Sequence, residues 1–175
     1  MRNSPRKQPL YLARCGMLCA VALMAAAVEQ MLPALPMLPP GVKPGVANVV
    51  VMAAAELLGS GAALAVVGVK ALFALATRGA MAGIMSLAGG LLSGAVMILL
   101  LRGHRFGAIG VGVAGAAAHH CAQIAVAGAL LTVACRNYLP VMLLLAIVTG
   151  TMTGVLYGLL RPGLVRALRA GSAEI

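Results

Sequence analysis

An all-α, polytopic membrane bundle is the fold this sequence predicts, and three observations carry it. Of 175 residues, 62% are apolar and only 9% charged, with a mean hydropathy of +1.05; a soluble domain carries about 25% charged residues to stay solvated. Apolar runs of about twenty residues recur along the chain, the length a helix needs to cross the hydrocarbon core. Thirteen Lys and Arg stand against three acids, Glu29, Glu56 and Glu174, and the basic residues lie between and beyond the apolar runs. That spacing is a positive-inside pattern. It is not a nucleic-acid surface, for which three tyrosines and two phenylalanines offer little stacking.

The first span is Leu10–Leu32. Its basic flank, residues 1–9, resembles that of a secretory leader, but Arg14 interrupts the run, the run is long for a leader, and further spans follow. Pro33, Pro36, Pro39, Pro40 and Pro44 then exclude helix and predict a rigid loop to about Gly45. As one helix, Ala47–Thr77 would be about 46 Å long, well over the hydrocarbon thickness. Gly59-Ser60-Gly61 predicts a turn that divides it into two short helices. Ala80–Leu101, Phe106–Ala134 and Tyr138–Leu160 complete six spans. With six, one side receives Arg2, Arg6, Lys7, Arg14, Arg102, Arg105, Arg161, Arg166 and Arg169, and the other only Lys43, Arg78 and Arg136. With five spans the same residues divide evenly. Loop charge therefore predicts six transmembrane helices with both termini cytoplasmic. The expected organisation is a basic tail (1–9), one membrane domain (10–160) and a second basic tail (161–175), in a bacterial plasma membrane.

Small residues one turn apart predict close helix packing: Gly79 and Gly83, Gly90 and Gly94, Gly150, Gly154 and Gly158, and Ala22 and Ala26. The cysteines form no framework. Cys121 and Cys135 would be about 21 Å apart on one helix, far beyond disulfide reach. Cys15 and Cys19 read as small apolar residues.

Polar side chains inside a span are costly, so each is a functional candidate. Lys70 falls near the middle of the third span, and His119 and His120 near the middle of the fifth. Gln123 shares a face with His119. Glu29 ends the first span, Asn48 opens the second, and Arg78, Arg136 and Asn137 sit at outer ends. These residues collect in the outer half of the bundle, as a pocket for a small polar or amphipathic molecule requires. Lys43, Lys70 and Arg78 against Glu29 favour a ligand with a carboxylate or phosphate. The bland alternatives stay open: Lys70 pairs with Glu29 or snorkels, and one of the two histidines only packs. His119, His120 and Cys121 fan out by about 200° on a helix, so no metal site is expected, and no cofactor.

Three segments, in order, resemble one family. Gly41-Val42-Lys43-Pro44-Gly45-Val46-Ala47-Asn48 is similar to the GVKxGLAN segment of the Gx transporter family. Ser86-Leu87-Ala88-Gly89-Gly90-Leu91-Leu92-Ser93 is similar to its SLAGGLLS segment, and Gly115-Ala116-Ala117-Ala118-His119-His120-Cys121-Ala122-Gln123 to its AGAxAHNxGQ segment. The resemblance runs from about Ala20 to Leu160. It implies a substrate-binding subunit like the S components of energy-coupling factor importers. Such a subunit has six helices and no ATPase, and is driven by a separate transmembrane coupling protein with two ATPases. It also implies ligand roles for Lys43, Asn48, His119 and Gln123, and a helix contact with the coupling protein at Ala22 and Ala26. The chain departs from the pattern at His120 and at Cys121-Ala122. The Pro-rich loop reads as a lid with Lys43 as its ligand-facing charge.

The expected function is capture of a small cofactor or cofactor precursor with an anionic group, without catalysis. The family also bears a heptaprenyl diphosphate synthase label, but a prenyl synthase holds diphosphate through Asp-bound magnesium, and this chain has no aspartate. It also lacks a GxxxxGK[ST] loop, so any ATPase acts in trans. The alternatives are a membrane partner of an isoprenoid or quinone enzyme, or a scaffold of a membrane redox complex. Nothing in the residues names the ligand.

Overall fold

The computed structural model describes residues 7–31, 45–131 and 135–173, and among these the regular structure is entirely helical. Six α-helices follow one another: α1 (Lys7–Met31), α2 (Asn48–Leu57), α3 (Ser60–Arg78), α4 (Ala80–Gly103), α5 (Ala108–Leu131) and α6 (Leu139–Ala173). A 3-10 turn at Cys135–Tyr138 precedes α6. The Pro-rich segment expected as a lid, with Lys43, lies outside the described residues.

Helix α1 starts at Lys7, three residues before the apolar run. Pro9 falls in its first turn, where a backbone N–H has no intrahelical acceptor to lose. The long apolar stretch divides at Gly59 as the sequence predicts, with Gly59 at φ 95° and its N–H closing α2 on the Ala54 carbonyl at 3.0 Å. The division is unequal, however. Helix α2 has 10 residues and α3 has 19, so α2 is about 15 Å long, half the hydrocarbon core. Five of the six helices are long and apolar enough to cross a membrane, and α2 is not one of them. Helix α6 also differs from expectation: it continues beyond Leu160 to Ala173 with Pro162 inside it. Pro162 forfeits one bond to the Gly158 carbonyl, while Leu159, Leu160, Leu164, Arg166 and Ala167 are all strong helix formers.

Helix α2 is the centre of the bundle. It packs against α1, α3, α4, α5 and α6, and Asn48–Ala54 are buried. Around it α3, α4, α5 and α6 each pack on the next, and α1 packs on α2 and α3. Contacts near the helix ends give the directions. Gln30 near the end of α1 bonds Thr77 near the end of α3, at 2.9 Å, so these two run together. Glu56 near the end of α2 meets Arg161 in α6, beside Leu101 and Ala108 where α4 ends and α5 begins. The bundle thus has an Arg78 end and an Arg161 end.

Two apolar clusters fill it. Val51, Met52, Val66, Val67, Met97 and Tyr157 form the larger, around α2; Met85, Ile124, Ala127 and Met142 form the smaller, toward the Arg78 end. Glycine lets α5 and α6 approach: a Cβ at Gly150 or Gly154 would run into the backbone of Val113 or Ile109. Gly158 meets nothing and takes no part in that contact, so the expected triple is a pair. Outward, Leu12, Met17, Met24, Leu72, Leu99, Leu144 and Leu159 are exposed on several helices. Helices that are apolar on their outer faces too belong in lipid. The chain is a multi-pass membrane protein.

Candidate functional site

The start of α2 sets the geometry of the site. A helix that begins inside an apolar bundle leaves backbone N–H groups that water cannot reach, and each unsatisfied one costs several kcal/mol. Here they are satisfied locally. Glu29 Oε1, from α1, accepts the N–H of Gly45 and, at 2.9 Å, that of Val46. Asn48 N–H donates to the Gly45 carbonyl at 2.9 Å and Val49 N–H to that of Val46 at 3.1 Å. Asn48 Oδ1 then accepts a bond of 2.7 Å from Lys70 Nζ of α3. One turn of chain thereby joins α1, α2 and α3.

Helix α5 closes the same knot. The backbone of Gly45 has φ 81°, and a Cβ there would stand 3.0 Å from Asn48 Nδ2 and 3.3 Å from His119 Cδ2. A Cβ at Gly89 in α4 would come within 2.7 Å of His119 Nδ1 and Cε1. Glycine is needed at both positions, because the His119 ring occupies the space between them. Gly45, Gly89 and His119 lie in the three separate sequence segments quoted above.

Around this knot lies a cavity with a free volume of about 30 Å³, lined by Ala26, Glu29 and Gln30 of α1, Gly45, and Lys70, Phe73, Ala74 and Arg78 of α3. Ala82 and Ser86 of α4 and His119 and Gln123 of α5 complete it. Of the sequence-predicted ligands, Glu29, Lys70, Arg78, His119 and Gln123 therefore share one cavity, and Asn48 stands directly behind Lys70. Lys43 and the Arg136 side chain lie outside the described residues. Lys70 is only 7% exposed, and among the described residues no ion pair joins it to Glu29. Nζ has three N–H donors, and Asn48 takes one.

The two histidines diverge. His119 faces the cavity, 5% exposed, and its Nδ1 makes no hydrogen bond of good geometry. His120 is fully buried and turns Nδ1 to Gln123 Oε1 at 3.2 Å. Their rings stand edge to face, 5.8 Å apart. Among the described residues no three His, Cys, Asp or Glu side chains cluster as metal ligands.

Of the two residues expected at a helix contact, Ala22 has no exposed surface, and Ala26 is half-buried and lines the cavity. The small residues that α1 exposes are Ala13, Gly16, Ala20 and Ala27.

Sequence reasoning also passed over Gln30, Phe73 and Ser86, which line the cavity, and Gly45 and Gly89, which shape it. The two glycines stood inside the quoted segments, a signal that was there to be used. A second, larger cavity of about 330 Å³ lies at the Arg161 end among Met52, Glu56, Leu101, His104, Phe106 and Tyr157. Its charged groups already satisfy one another: Glu56 accepts from Tyr157 Oη at 2.7 Å and pairs with Arg161 at 2.6 Å. Size favours that cavity, but the buried, incompletely paired groups of the Arg78 end make the smaller one the candidate site.

The family profile described as heptaprenyl diphosphate synthase component I, a family often called Gx transporter, matches residues 18–160. The match covers most of the chain, which belongs to this family. No curated protein and no solved structure matches it.

Proposed function

From a chain of this family, we propose a substrate-binding membrane subunit of an energy-coupling factor type importer. It captures a small cofactor or cofactor precursor that carries an anionic group. The observation that carries this reading is the buried Lys70, held by one neutral partner on a cavity where three distant sequence segments meet. A buried ammonium with open donors is costly, and an anionic ligand offsets that cost. Lys70 and Arg78 against Glu29 leave the cavity a positive excess.

In this reading both termini are cytoplasmic, the Arg161 end faces the cytoplasm, and the cavity opens outward. Helix α2 belongs to the second of six crossings. A coupling protein packs on the face of α1 that exposes Ala13, Gly16, Ala20 and Ala27, and ATPases bound to it supply the energy. The chain performs no catalysis, in keeping with a sequence that has no aspartate.

Native mass spectrometry of the gently solubilised protein, purified from its own host, tests the assembly. A transmembrane coupling protein and ATPases on one particle with this chain is the expected result. The family's description favours a second reading, a membrane partner of a prenyl diphosphate synthase. A particle that carries such a synthase and no ATPase would replace the first reading with the second.

A further inference from the structure

The walls of the cavity differ in the hydrogen-bonding groups they offer. On α1, Glu29 spends Oε1 on the Gly45 and Val46 N–H groups, which leaves Oε2 as an acceptor. Its neighbour Gln30 donates Nε2–H to Thr77 Oγ1 at 2.9 Å. The direction of that bond is fixed, since the one hydroxyl proton of Thr77 goes to the Phe73 carbonyl at 2.7 Å. Gln30 therefore keeps its Oε1 as a second acceptor on the same wall.

Helix α3 carries the donor. Lys70 retains two N–H groups after its bond to Asn48. On α5, the Gln123 amide stands 3.2 Å from His120 Nδ1, and the end it turns to the cavity follows the imidazole tautomer. Acceptors thus come from α1 and the donor from α3, in one cavity.

We propose that the site recognises an amphoteric head group: an anionic or carbonyl oxygen set against Lys70, beside an N–H or O–H donor set against Glu29 and Gln30. Amino-acid-like, lactam-like and imide-like heads have this pattern. A simple carboxylate or phosphate ester without a donor does not. A site built to hydrogen-bond both partners rejects an analogue that lacks one, because its own buried group is then left unpaired. The inference rests on the reading of the cavity as a substrate site and narrows its ligand.

The test is to purify the full chain from its host, denature it, and identify the released small molecule by mass spectrometry, for wild type and for Glu29→Gln and Glu29→Asp. The expected molecule contains an acidic or carbonyl oxygen with a neighbouring N–H or O–H donor. Occupancy falls at least tenfold in Glu29→Gln and is largely kept in Glu29→Asp, which retains the charge. A donor-free anion, or occupancy that is equal or higher in Glu29→Gln, overturns the inference and leaves the transporter reading standing. No small molecule on the wild type overturns both. Should Glu29→Gln fail to accumulate, the chemical identity of the wild-type ligand decides alone.

Discussion

A single ring, that of His119, explains two glycines that neither helix propensity nor loop geometry would select. Gly89 lies within a helix, where alanine would be preferred by about 1 kcal/mol on propensity alone. The ring at 2.7 Å from its missing Cβ makes the substitution costly instead. Gly89→Ala is expected to destabilise by about 1–3 kcal/mol, the range for overpacking a filled site, and to lower ligand occupancy. In a His119→Ala background the same change should cost much less. Thermal melts of the four proteins of this cycle measure the coupling, and additive effects would contradict the contact. The residue scale is also where the sequence was most informative. Burial cost alone marked Lys70, His119, Gln123 and Glu29 as candidates, and all four line one cavity. What it could not mark was which partner each had. Lys70 bonds Asn48, while Glu29 Oε1 holds the Gly45–Val46 turn.

At the scale of elements, composition placed the helices well and their lengths less well. Gly59 marked the break between α2 and α3, but nothing in the apolar run revealed that one side would be 10 residues and the other 19. The short length is set at both ends: Glu29 accepts the Gly45 and Val46 N–H groups just before Asn48, and Gly59 at φ 95° closes the helix after Leu57. The extension of α6 past Pro162 was equally hidden, because one lost hydrogen bond is outweighed by a run of helix formers. Helix faces were hidden too: periodicity did not reveal that Ala22 would have no exposed surface. The outward small residues of α1 make a direct prediction. Ala20→Leu should reduce recovery of the coupling protein with the purified chain and leave melting temperature and ligand occupancy unchanged, since residue 20 is exposed. Equal recovery of the partner would place its contact elsewhere.

The described helices form a bundle around a half-length helix, and this decides how the membrane topology is to be tested. Positive-inside bias favoured six crossings; helix length alone yields five. A cysteine at Gly59 discriminates, in a background with the native cysteines replaced. With six crossings it reacts with a membrane-impermeant maleimide only from the cytoplasmic side, as does a cysteine at His104, whereas one at Gly79 reacts from outside. Labelling of residue 59 from outside would contradict the topology. The same architecture puts the polar knot of α1, α2, α3 and α5 at the Arg78 end and an internally satisfied ion pair at the Arg161 end. Among the described residues, only the first holds a buried ammonium, that of Lys70.

That ammonium is the central claim, and Lys70→Met tests it most directly. Methionine keeps the length and apolar stem and removes the charge. Small molecules released from wild type and variant, purified side by side from the same host, are to be quantified by mass spectrometry alongside a melting curve for each. A hydrogen bond to a charged group contributes about 1.5–3 kcal/mol. The account therefore predicts a loss of ligand affinity of roughly tenfold or more, with a melting temperature equal to or above that of the wild-type protein freed of ligand. Undiminished occupancy in Lys70→Met, or collapse of the fold with no ligand ever present on the wild type, would contradict it and make Lys70 a packing residue.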